Sequence, residues 1–431
     1  MKPLFIISSP FDTYSGYGAR SRDLIKSIVK SDKYNVRLMS QRWGNTPFGF
    51  CKDNPEWVFL LDLVLPQNQL PKQPEIWAQV SVPNEFQPVG KYNIGFTAGI
   101  ETTIVPGEFI EGVNRMDITF VSSEHAKKSF VETKFEKHNQ KTGHKEVIEV
   151  NKPIEVLFEG YNTEIYKHID KKEYVSTIPE INDIPESFAY LFVGHWMQGD
   201  LGEDRKNVGL LIKAFFETFK NKKTQPALIL KTSQVGSSYM DRDAILNKIR
   251  IIRESVNSSS LPNIYLLHGE FTDIEMNNLY NHPKIKAMVS LTKGEGFGRP
   301  LLEFTISKKP LITTAWSGHL DFLNQEFTHL IAGELTNVHP SAANQFLLKE
   351  AKWFAPDHSH VGHYLKDVFE NYKKYTDGGK RQAHYSKTNF TWELMKDKLN
   401  TYLEKNLPEF PKEVTLKLPT LDKIELPKRN K

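Results

Sequence analysis

Two glutamates, Glu295 and Glu303, stand eight positions apart at the ends of a glycine-rich stretch, GEGFGRPLLEF at 294–304. The apolar run at 287–291 predicts a buried strand just before this stretch. Pro300 favours the first turn of a short helix just after it. The pattern therefore predicts a strand, a glycine-rich loop and a helix N-terminus, with carboxylates in the loop and about one turn into the helix.

The loop and the helix start have the properties of an anion site. Gly296 and Gly298 allow close backbone approach, and the unbonded amides of a helix N-terminus attract anions. Acids on either side of an anion are unfavourable unless they bind something else, such as hydroxyl groups. A nucleotide-sugar has that shape, because its diphosphate lies between sugar and ribose hydroxyls. The alternative is an ordinary strand–helix turn with one solvated glutamate and one favoured by the helix dipole; the glycines and the proline favour the site.

The segment from Glu295 to Glu303 resembles the E-x7-E motif of retaining, family-4-type glycosyltransferases of the GT-B fold. By position, the resemblance implies that Glu295 contacts the donor sugar, Glu303 the ribose, and the amides of 296–298 the phosphate. It also implies an α/β fold in which two Rossmann-like domains face each other across a cleft, with a C-terminal helix that crosses back to the first domain. The resemblance covers roughly 1–405 as architecture, whereas only 287–316 is specific in motif.

Composition sets wider limits on the function. The chain has 431 residues, of which 39% are hydrophobic and 25% charged, which suits two or three soluble domains. The net charge of +4 is too small to argue for nucleic-acid binding by itself. Cys51, the single cysteine, excludes an internal disulfide and suits a reducing compartment. With no apolar stretch long enough to cross a bilayer, we expect a cytoplasmic protein without a transmembrane segment.

Alternating strands and helices predict the positions of the domains. Short apolar runs without strict alternation are typical of parallel strands covered on both faces, and strands alternating with helices predict right-handed crossovers. The sequence predicts a solvated connection at 131–152, a polar hinge at 167–186 and two helices within 341–375. The expected units are a first, acceptor-side Rossmann-like domain at 1–170, a donor-side Rossmann-like domain at 187–385, a crossover helix at 386–405 and an extended or disordered tail with a short basic end at 406–431.

Two features of the first domain lie where α/β sheets bind ligands, at the ends of strands. After the strand predicted at 4–8, Gly16 and Gly18 lie in a polar loop; a simple strand–helix turn is an equal alternative until the family resemblance favours function. Glu101 follows a second strand, near the place where many family members have a histidine close to the reacting sugar. It either substitutes for that histidine or caps the next segment.

Cations follow the first strand of the second domain. The adjacent cations Arg205 and Lys206 precede a helix, where they oppose the helix dipole unless they meet a diphosphate. Lys206 matches the lysine with which family members hold the diphosphate, but His195 stands where they have an arginine. Arg205 is the nearest candidate for the second charge and Arg299 is another. Lys231 ends a strand on the same edge and is a weaker candidate.

A metal is not expected. Asp241-Arg242-Asp243 has the D-x-D spacing of a metal motif in another glycosyltransferase fold, but it lies in or beside a predicted helix. No Cys/His cluster has metal-ligand spacing. His319 is more often a capping or surface histidine than a catalytic one.

Together with the family resemblance, which implies retention of configuration, these observations predict a retaining, metal-independent glycosyltransferase without a cofactor, which moves a sugar from a nucleoside diphosphate donor to the hydroxyl of a glycan, lipid, protein or modified nucleic acid. The alternatives are a nucleotide-sugar epimerase or phosphorylase on the same fold, or a nucleic-acid-binding protein. The catalytic candidates are Glu295 and Glu101. The donor-binding candidates are Gly16, Gly18, His195, Arg205, Lys206, Lys231, Gly296, Phe297, Gly298, Arg299 and Glu303.

Overall fold

The computed structural model describes residues 2–138, 145–234 and 238–411. The predicted tail lies outside the described residues from 412 onward, and so does its basic end. Within the described residues, no helix is both long and apolar enough to pass through a membrane.

The first domain is built around a six-stranded sheet in the order β2-β1-β3-β4-β5-β8, with every neighbouring pair parallel. Its strands, and those of a separate antiparallel hairpin formed by β6 and β7, are β1 (Leu4–Ser9), β2 (Asn35–Ser40), β3 (Ile76–Val80), β4 (Tyr92–Thr97), β5 (Ile118–Val121), β6 (Phe135–His138), β7 (Lys145–Ile148) and β8 (Ile154–Val156). The central strands are buried along their whole length, as expected when helices cover both faces.

The second domain repeats this design. Its six-stranded parallel sheet has the order β11-β10-β9-β12-β13-β14, and β15 and β16 form a separate antiparallel pair. The strands are β9 (Ala189–Val193), β10 (Ala227–Lys231), β11 (Ile264–Leu267), β12 (Ile285–Ser290), β13 (Leu311–Thr314), β14 (His329–Ile331), β15 (Gly333–Asn337) and β16 (Lys352–Pro356). In both sheets the strand order reverses near the first strand of the domain, and ligands bind at such positions in open α/β sheets.

Helices connect the strands and cover the sheets. The α-helices are α1 (Gly16–Lys30), α2 (Phe50–Asp53), α3 (Gly107–Asn114), α4 (Glu124–Glu132), α5 (Glu180–Asp183), α6 (Val208–Phe219), α7 (Tyr239–Glu254), α8 (Asp273–Asn281), α9 (Arg299–Thr305), α10 (His358–Glu370), α11 (Tyr372–Asn389) and α12 (Trp392–Asn406). Short 3-10 helices span Pro55–Leu63, Pro66–Asn68, Pro83–Glu85 and Gly318–Asp321.

The last helix crosses back to the first domain, as the sequence predicts. Thr391 caps α12 by accepting a hydrogen bond from the amide of Leu394 at 3.2 Å. One side of α12, including Met395 and Leu399, is fully buried in the core that also contains α1 and β1. The indole of Trp392 donates to the carbonyl of Asp23 in α1 at 3.2 Å. The start of the C-terminal helix is thereby fastened to the first domain.

One sequence-based expectation is wrong in detail, and the structure adds detail to two others. The region at 341–375 contains a strand, β16, before α10 and the start of α11, because Trp353 is fully buried and the run pairs with β15. The connection at 131–152 contains the β6–β7 hairpin. The polar segment at 167–186 is mostly exposed but is attached to the second domain at several points, since Ile178 is buried and the side chain of Asn281 in α8 accepts a hydrogen bond from the Ile169 amide at 2.9 Å. Its role as a hinge stays a prediction.

Candidate active site

A cleft of about 440 Å³ lies between the two domains. One wall consists mainly of residues that follow β1, β2, β4 and β8, and the other of residues that follow β9, β10, β11 and β12. The carboxyl ends of both parallel sheets therefore face the same space. The cleft is lined by Tyr14, Ser15, Gly16, Tyr17, Arg20, Trp43, Thr46, Pro47, Val80, Thr97, Ala98, Glu101 and Glu159 from the first domain, and by His195, Met197, Arg205, Ser233, Gln234, Glu270, Glu295, Gly296, Phe297, Gly298, Arg299 and Pro300 from the second.

The N-terminus of α1 opens into this cleft. Ser15 is its N-cap, and the Ser15 hydroxyl accepts a hydrogen bond from the amide of Gly18 at 2.9 Å. Gly16 lines the cleft and has open space around it. Gly18 has a packing role, because a Cβ there would stand 2.3 Å from the carbonyl oxygen of Thr13. The predicted glycine loop is therefore the first turn of a helix whose positive end faces the cleft.

Glu295 is the centre of a cluster of charges at the cleft, which Glu295, Arg205 and Glu101 line; Lys206 holds the Glu295 carboxylate but is not itself among the lining residues. Its Oε1 lies 2.5 Å from Nζ of Lys206, and its Oε2 lies 3.6 Å from the guanidinium of Arg205. Arg205 also lies 3.3 Å from the carboxylate of Glu101 in the first domain. Burial by itself would raise the pKa of Glu295, but Lys206 and Arg205 outweigh it and lower that pKa to about 2. Glu295 is therefore ionised at neutral pH.

Glu101 is placed in the cleft by the loop after β4. The next helix, α3, has Pro106 at its N-cap, so Glu101 does not cap that helix as one interpretation of the sequence expected. Its carboxylate instead bridges the domains through Arg205. The structure thus brings Glu101, Arg205, Lys206 and Glu295 together, although they are separated in sequence by up to 194 positions.

The loop that carries Glu295 is held by its main chain. The amide of Glu295 donates to the hydroxyl of Ser317 at 2.9 Å, and its carbonyl accepts from the amide of Gly318 at 3.0 Å. Ser317 has φ 82° and ψ −165°, a conformation that costs a non-glycine residue free energy. Strain stored beside the most buried acid of the cleft indicates that the position of this loop matters to the site.

The glycines of the motif serve the contact between domains as well as the loop. A Cβ on Gly294 would lie 2.0 Å from the carbonyl oxygen of Glu101, and one on Gly296 would lie 2.7 Å from that of Ala98. Gly298 has φ +94°, which favours glycine, and forms the N-cap of α9. The domains therefore touch through backbone at the motif, which the sequence alone did not predict. Phe297 is buried with one face on the core of the second domain.

Glu303 is placed differently from its partner in the motif. It is buried behind the wall and is not among the residues that line the cleft. Its Oε1 accepts a hydrogen bond from Nε of Arg299 at 2.8 Å, and the same guanidinium binds Asp23 of the first domain at 2.6 Å. Burial raises the pKa of Glu303 to about 7, Arg299 offsets part of this, and Asp273 adds to it. Arg299 thus forms a second ionic bridge between the domains.

His195 and Lys231, the remaining candidates for a cation at the diphosphate, differ in that only His195 lines the cleft. His195 lines the cleft, and its Nδ1 lies 3.0 Å from the hydroxyl of Ser233. Burial and the nearby Lys206 lower the pKa of His195, so the ring is neutral at pH 7 and does not supply the missing positive charge. Lys231 is not among the lining residues, since it donates to the carbonyl of Gly269 at 2.7 Å and lies over the ring of Phe271. Arg205, which lines the cleft, is the second cation beside Lys206 at the carboxylate of Glu295.

Sequence reasoning missed several lining residues in the first domain. Arg20 is buried on α1 and donates to the carbonyl of Phe158 at 2.8 Å, and Glu159 accepts from the hydroxyl of Ser122 at 3.0 Å. Tyr17 and Trp43 stack with ring centroids 4.0 Å apart. Tyr17 lies between Gly16 and Gly18, which the sequence analysis had selected, so its place in the cleft could have been predicted from these neighbours. Trp43 has no local motif, and only the fold places it here.

The D-x-D motif at 241–243 and His319, which the sequence analysis considered as a metal motif and a catalytic histidine, have structural roles. Asp241 lies in α7, as predicted, where it accepts from the amide of Gln234 at 3.1 Å and binds the ring of His268 at 2.8 Å. Among the described residues, no group of three or more His, Cys, Asp or Glu side chains is placed to hold a metal ion. His319 is fully buried, and its Nε2 lies 2.7 Å from the carbonyl of Thr314.

Comparison with known proteins supports the fold. No family model matches the sequence, and no curated protein matches it either. Solved structures do match over 94% of this chain. They include a glycosyltransferase from Rickettsia africae (16% identity, 98% of that chain, TM-score 0.59), sucrose-phosphate synthase from Thermosynechococcus elongatus (12%, 99%, 0.61) and the Anabaena protein HepE in complex with UDP-glucose (10%, 100%, 0.56). With two parallel six-stranded sheets that face each other across a cleft, this chain has the GT-B fold of these glycosyltransferases.

Proposed function

We propose that this protein is a metal-independent, retaining glycosyltransferase that moves a sugar from a nucleoside diphosphate to an acceptor hydroxyl. The observation that carries the proposal is the cluster of Glu295, Lys206 and Arg205 at the interdomain cleft. The fold supports it, since the similar structures include a protein in complex with UDP-glucose. The E-x7-E resemblance supports the retention of configuration in this proposal.

In this proposal Glu295 accepts hydrogen bonds from hydroxyls of the donor sugar. Its low pKa of about 2 keeps it ionised, and an ionised acceptor forms stronger hydrogen bonds than a neutral one. Arg205, Lys206 and the positive end of α1 surround the position of the diphosphate. They stabilise the negative charge that develops when the bond between the anomeric carbon and the phosphate oxygen breaks.

The transfer step needs no cofactor. The acceptor oxygen forms a bond to the anomeric carbon while the bond from that carbon to the diphosphate breaks. The diphosphate leaves with the bonding electrons and takes up the proton of the acceptor hydroxyl. Glu101, which holds Arg205 from the opposite domain at 3.3 Å, keeps this guanidinium directed at the leaving group.

The first experiment tests donor binding. UDP, GDP, ADP and CDP are added separately to the full chain, and the shift in unfolding temperature is measured, because a ligand that binds the folded state stabilises it by mass action. We expect one of them to stabilise the protein. The Lys206→Ala variant should bind that nucleotide at least about tenfold more weakly, which corresponds to about 1.4 kcal/mol. No shift with any of the four would refute the proposal.

The second experiment tests the role of Glu295 in turnover. Glu295→Gln should lower the rate of transfer, or of donor hydrolysis, by about 100-fold or more, since it removes a buried charge beside the reacting sugar. Glu203→Gln is the matched control, because Glu203 also accepts from a lysine, Lys293 at 3.1 Å, and does not line the cleft. Equal rates in the two variants would remove Glu295 from the chemistry. Incubation with donor alone separates transfer from epimerisation, since an epimerase alters the sugar without an acceptor.

A further inference from the structure

The first-domain wall of the cleft contains an aromatic platform, formed by Tyr17 and Trp43. The two rings stack with centroids 4.0 Å apart and planes inclined by 22°. Both residues line the cleft, and neither ring is fully buried. The platform lies opposite the wall that carries Lys206 and Glu295, so it is on the side that the proposed donor leaves to the acceptor.

Tyr17 is held in a single orientation. Its hydroxyl is hydrogen-bonded to the Thr97 hydroxyl at 3.0 Å and accepts from the amide of Ala98 at 3.0 Å. Thr97 and Ala98 are the end of β4 and the start of the loop that carries Glu101. The phenol therefore uses its polar group on the protein and offers only its ring to the cleft.

The loop that carries Trp43 is fastened at several points. The amide of Thr46 donates to the carbonyl of Trp43 at 3.0 Å, and the amide of Tyr14 donates to that of Pro47 at 3.1 Å. Phe48 forms an antiparallel bridge with Thr13. Because the Tyr17 ring and the main chain around Trp43 are held before a ligand arrives, and the two rings stack on each other, a ligand that packs on them has little to order.

Beyond the diphosphate assigned to the N-terminus of α1, the side chains on this wall do not favour a phosphate-rich ligand. Its acids are Glu101 and Glu159. Among the described residues that line the wall, Arg20 is the one basic side chain, and its guanidinium donates to the main-chain carbonyls of Leu157 and Phe158. An aromatic ring beside carboxylates suits a ligand with an apolar face and many hydroxyls, whereas a phosphodiester chain requires cations.

From this arrangement we infer that the acceptor is a neutral saccharide whose ring packs on Trp43. A pyranose has an apolar C–H face that fits an aromatic ring and equatorial hydroxyls that donate to carboxylates, and sites of this kind combine apolar walls with a few placed polar groups. Glu101 and Glu159 are the acceptors for those hydroxyls. The inference rests on the proposed function, because it assigns the acceptor half of the same cleft.

Binding is tested on the full chain by saturation-transfer NMR, with and without UDP. The probes are maltotriose, cellotriose and triacetylchitotriose as neutral saccharides, and a thymidine trinucleotide as a stacking ligand that carries phosphates. We expect at least one trisaccharide to bind and the trinucleotide not to bind. Trp43→Ala should weaken trisaccharide binding about fivefold or more, whereas Trp43→Phe, which keeps a ring, should remain within about threefold of the wild type.

Trp316→Ala is the matched control, because Trp316 is also partly buried but does not line the cleft. It should leave trisaccharide binding within about twofold of the wild type. The inference is overturned if no trisaccharide binds, if Trp43→Ala binds as well as Trp316→Ala, or if the trinucleotide binds through Trp43. These failures are separate from a failure of the proposed function, which would appear as the absence of any nucleoside diphosphate shift.

Discussion

The two acids of the E-x7-E motif differ more than their sequence positions suggest. Glu295 and Glu303 are the same residue type, eight positions apart, and their exposed fractions are 6% and 7%. Burial raises the pKa of both carboxyls. Yet the pKa of Glu295 falls to about 2, while that of Glu303 rises to about 7. Equal burial therefore does not determine the charge of either acid.

The difference comes from the cations that each acid receives. Glu295 is bound by Lys206 and also lies near Arg205. Glu303 has Arg299, but that guanidinium also binds Asp23, and Asp273 acts on Glu303 with the same sign of charge. Glu295 is therefore an anion that lines the cleft at any pH near neutral, whereas Glu303 does not line the cleft and titrates near pH 7.

The largest effect is expected from Lys206→Met, which would leave Glu295 buried without its closest cation. The free energy of unfolding at pH 7 should fall by roughly 3 kcal/mol, the usual cost of breaking a buried ion pair from one side. Urea unfolding measures it. Lys293→Met is the control. Because the side chain of its partner, Glu203, is 34% exposed and reaches water, this substitution should lower the free energy of unfolding by only about 1 kcal/mol. Equal losses in the two variants would show that the Glu295 pair is not special.

Substitution of the two acids should also have different effects on how the free energy of unfolding depends on pH. Glu303 has a folded-state pKa of about 7, above its ordinary value of 4.5, so the folded state binds more protons and stability is lost as pH rises from about 4.5 to 7. Glu303→Gln removes this loss. The stability of the variant relative to the wild type should therefore rise by roughly 2–3 kcal/mol between pH 5 and 8.

The free energy of unfolding of Glu295→Gln should instead change with pH in parallel with that of the wild type between pH 5 and 8. With a folded-state pKa of about 2, Glu295 is ionised in both states above pH 5, and its contribution is lost only as pH falls from about 4.5 toward 2. Urea unfolding at pH 5, 6, 7 and 8 distinguishes the variants. Parallel curves for both would contradict the difference between the two acids.

A smaller effect on stability is expected at Ser317, which supports the loop that carries Glu295. Ser317 binds the amide of Glu295 but has φ 82° and ψ −165°, a conformation that strains a residue with a Cβ by about 1–3 kcal/mol. Ser317→Ala loses the hydrogen bond and keeps the strain, whereas Ser317→Gly loses the hydrogen bond and relieves the strain. Thermal unfolding should find Ser317→Gly more stable than Ser317→Ala by about 1–2 kcal/mol. The reverse order would show that the conformation is not strained.

The smallest effect is expected at Lys231, which the sequence placed with the donor-binding cations. Because its Nζ donates to the carbonyl of Gly269, whereas that of Lys206 holds the carboxylate of Glu295, Lys231→Met should change the affinity for the stabilising nucleoside diphosphate less than about threefold. Isothermal calorimetry compares it with Lys206→Met. A loss at Lys231 as large as that at Lys206 would restore it to the donor site.

Much of the fold could be predicted from local patterns. The apolar runs that became β1, β9 and β12 are continuous, and the helices between them have apolar residues at helical spacing, so alternation and parallel sheets followed directly. The strand β16 could not be recognised in this way. Its five residues form a strand only because β15 lies beside them, and that pairing is a tertiary contact.

The sequence by itself determined that Glu295 and Glu303 occupy a loop and a helix after a buried strand, because glycine, proline and apolar spacing act within a few residues. Only the tertiary structure decided which cations these acids meet. Lys206 comes to Glu295 from 89 positions away, and Asp23 reaches Arg299 from 276 positions away. Charges interact through space and not along the chain. The folding of the second domain therefore set the charge of Glu295 by bringing Lys206 and Arg205 to it, whereas Asp23 reached Arg299 only when the two domains came together.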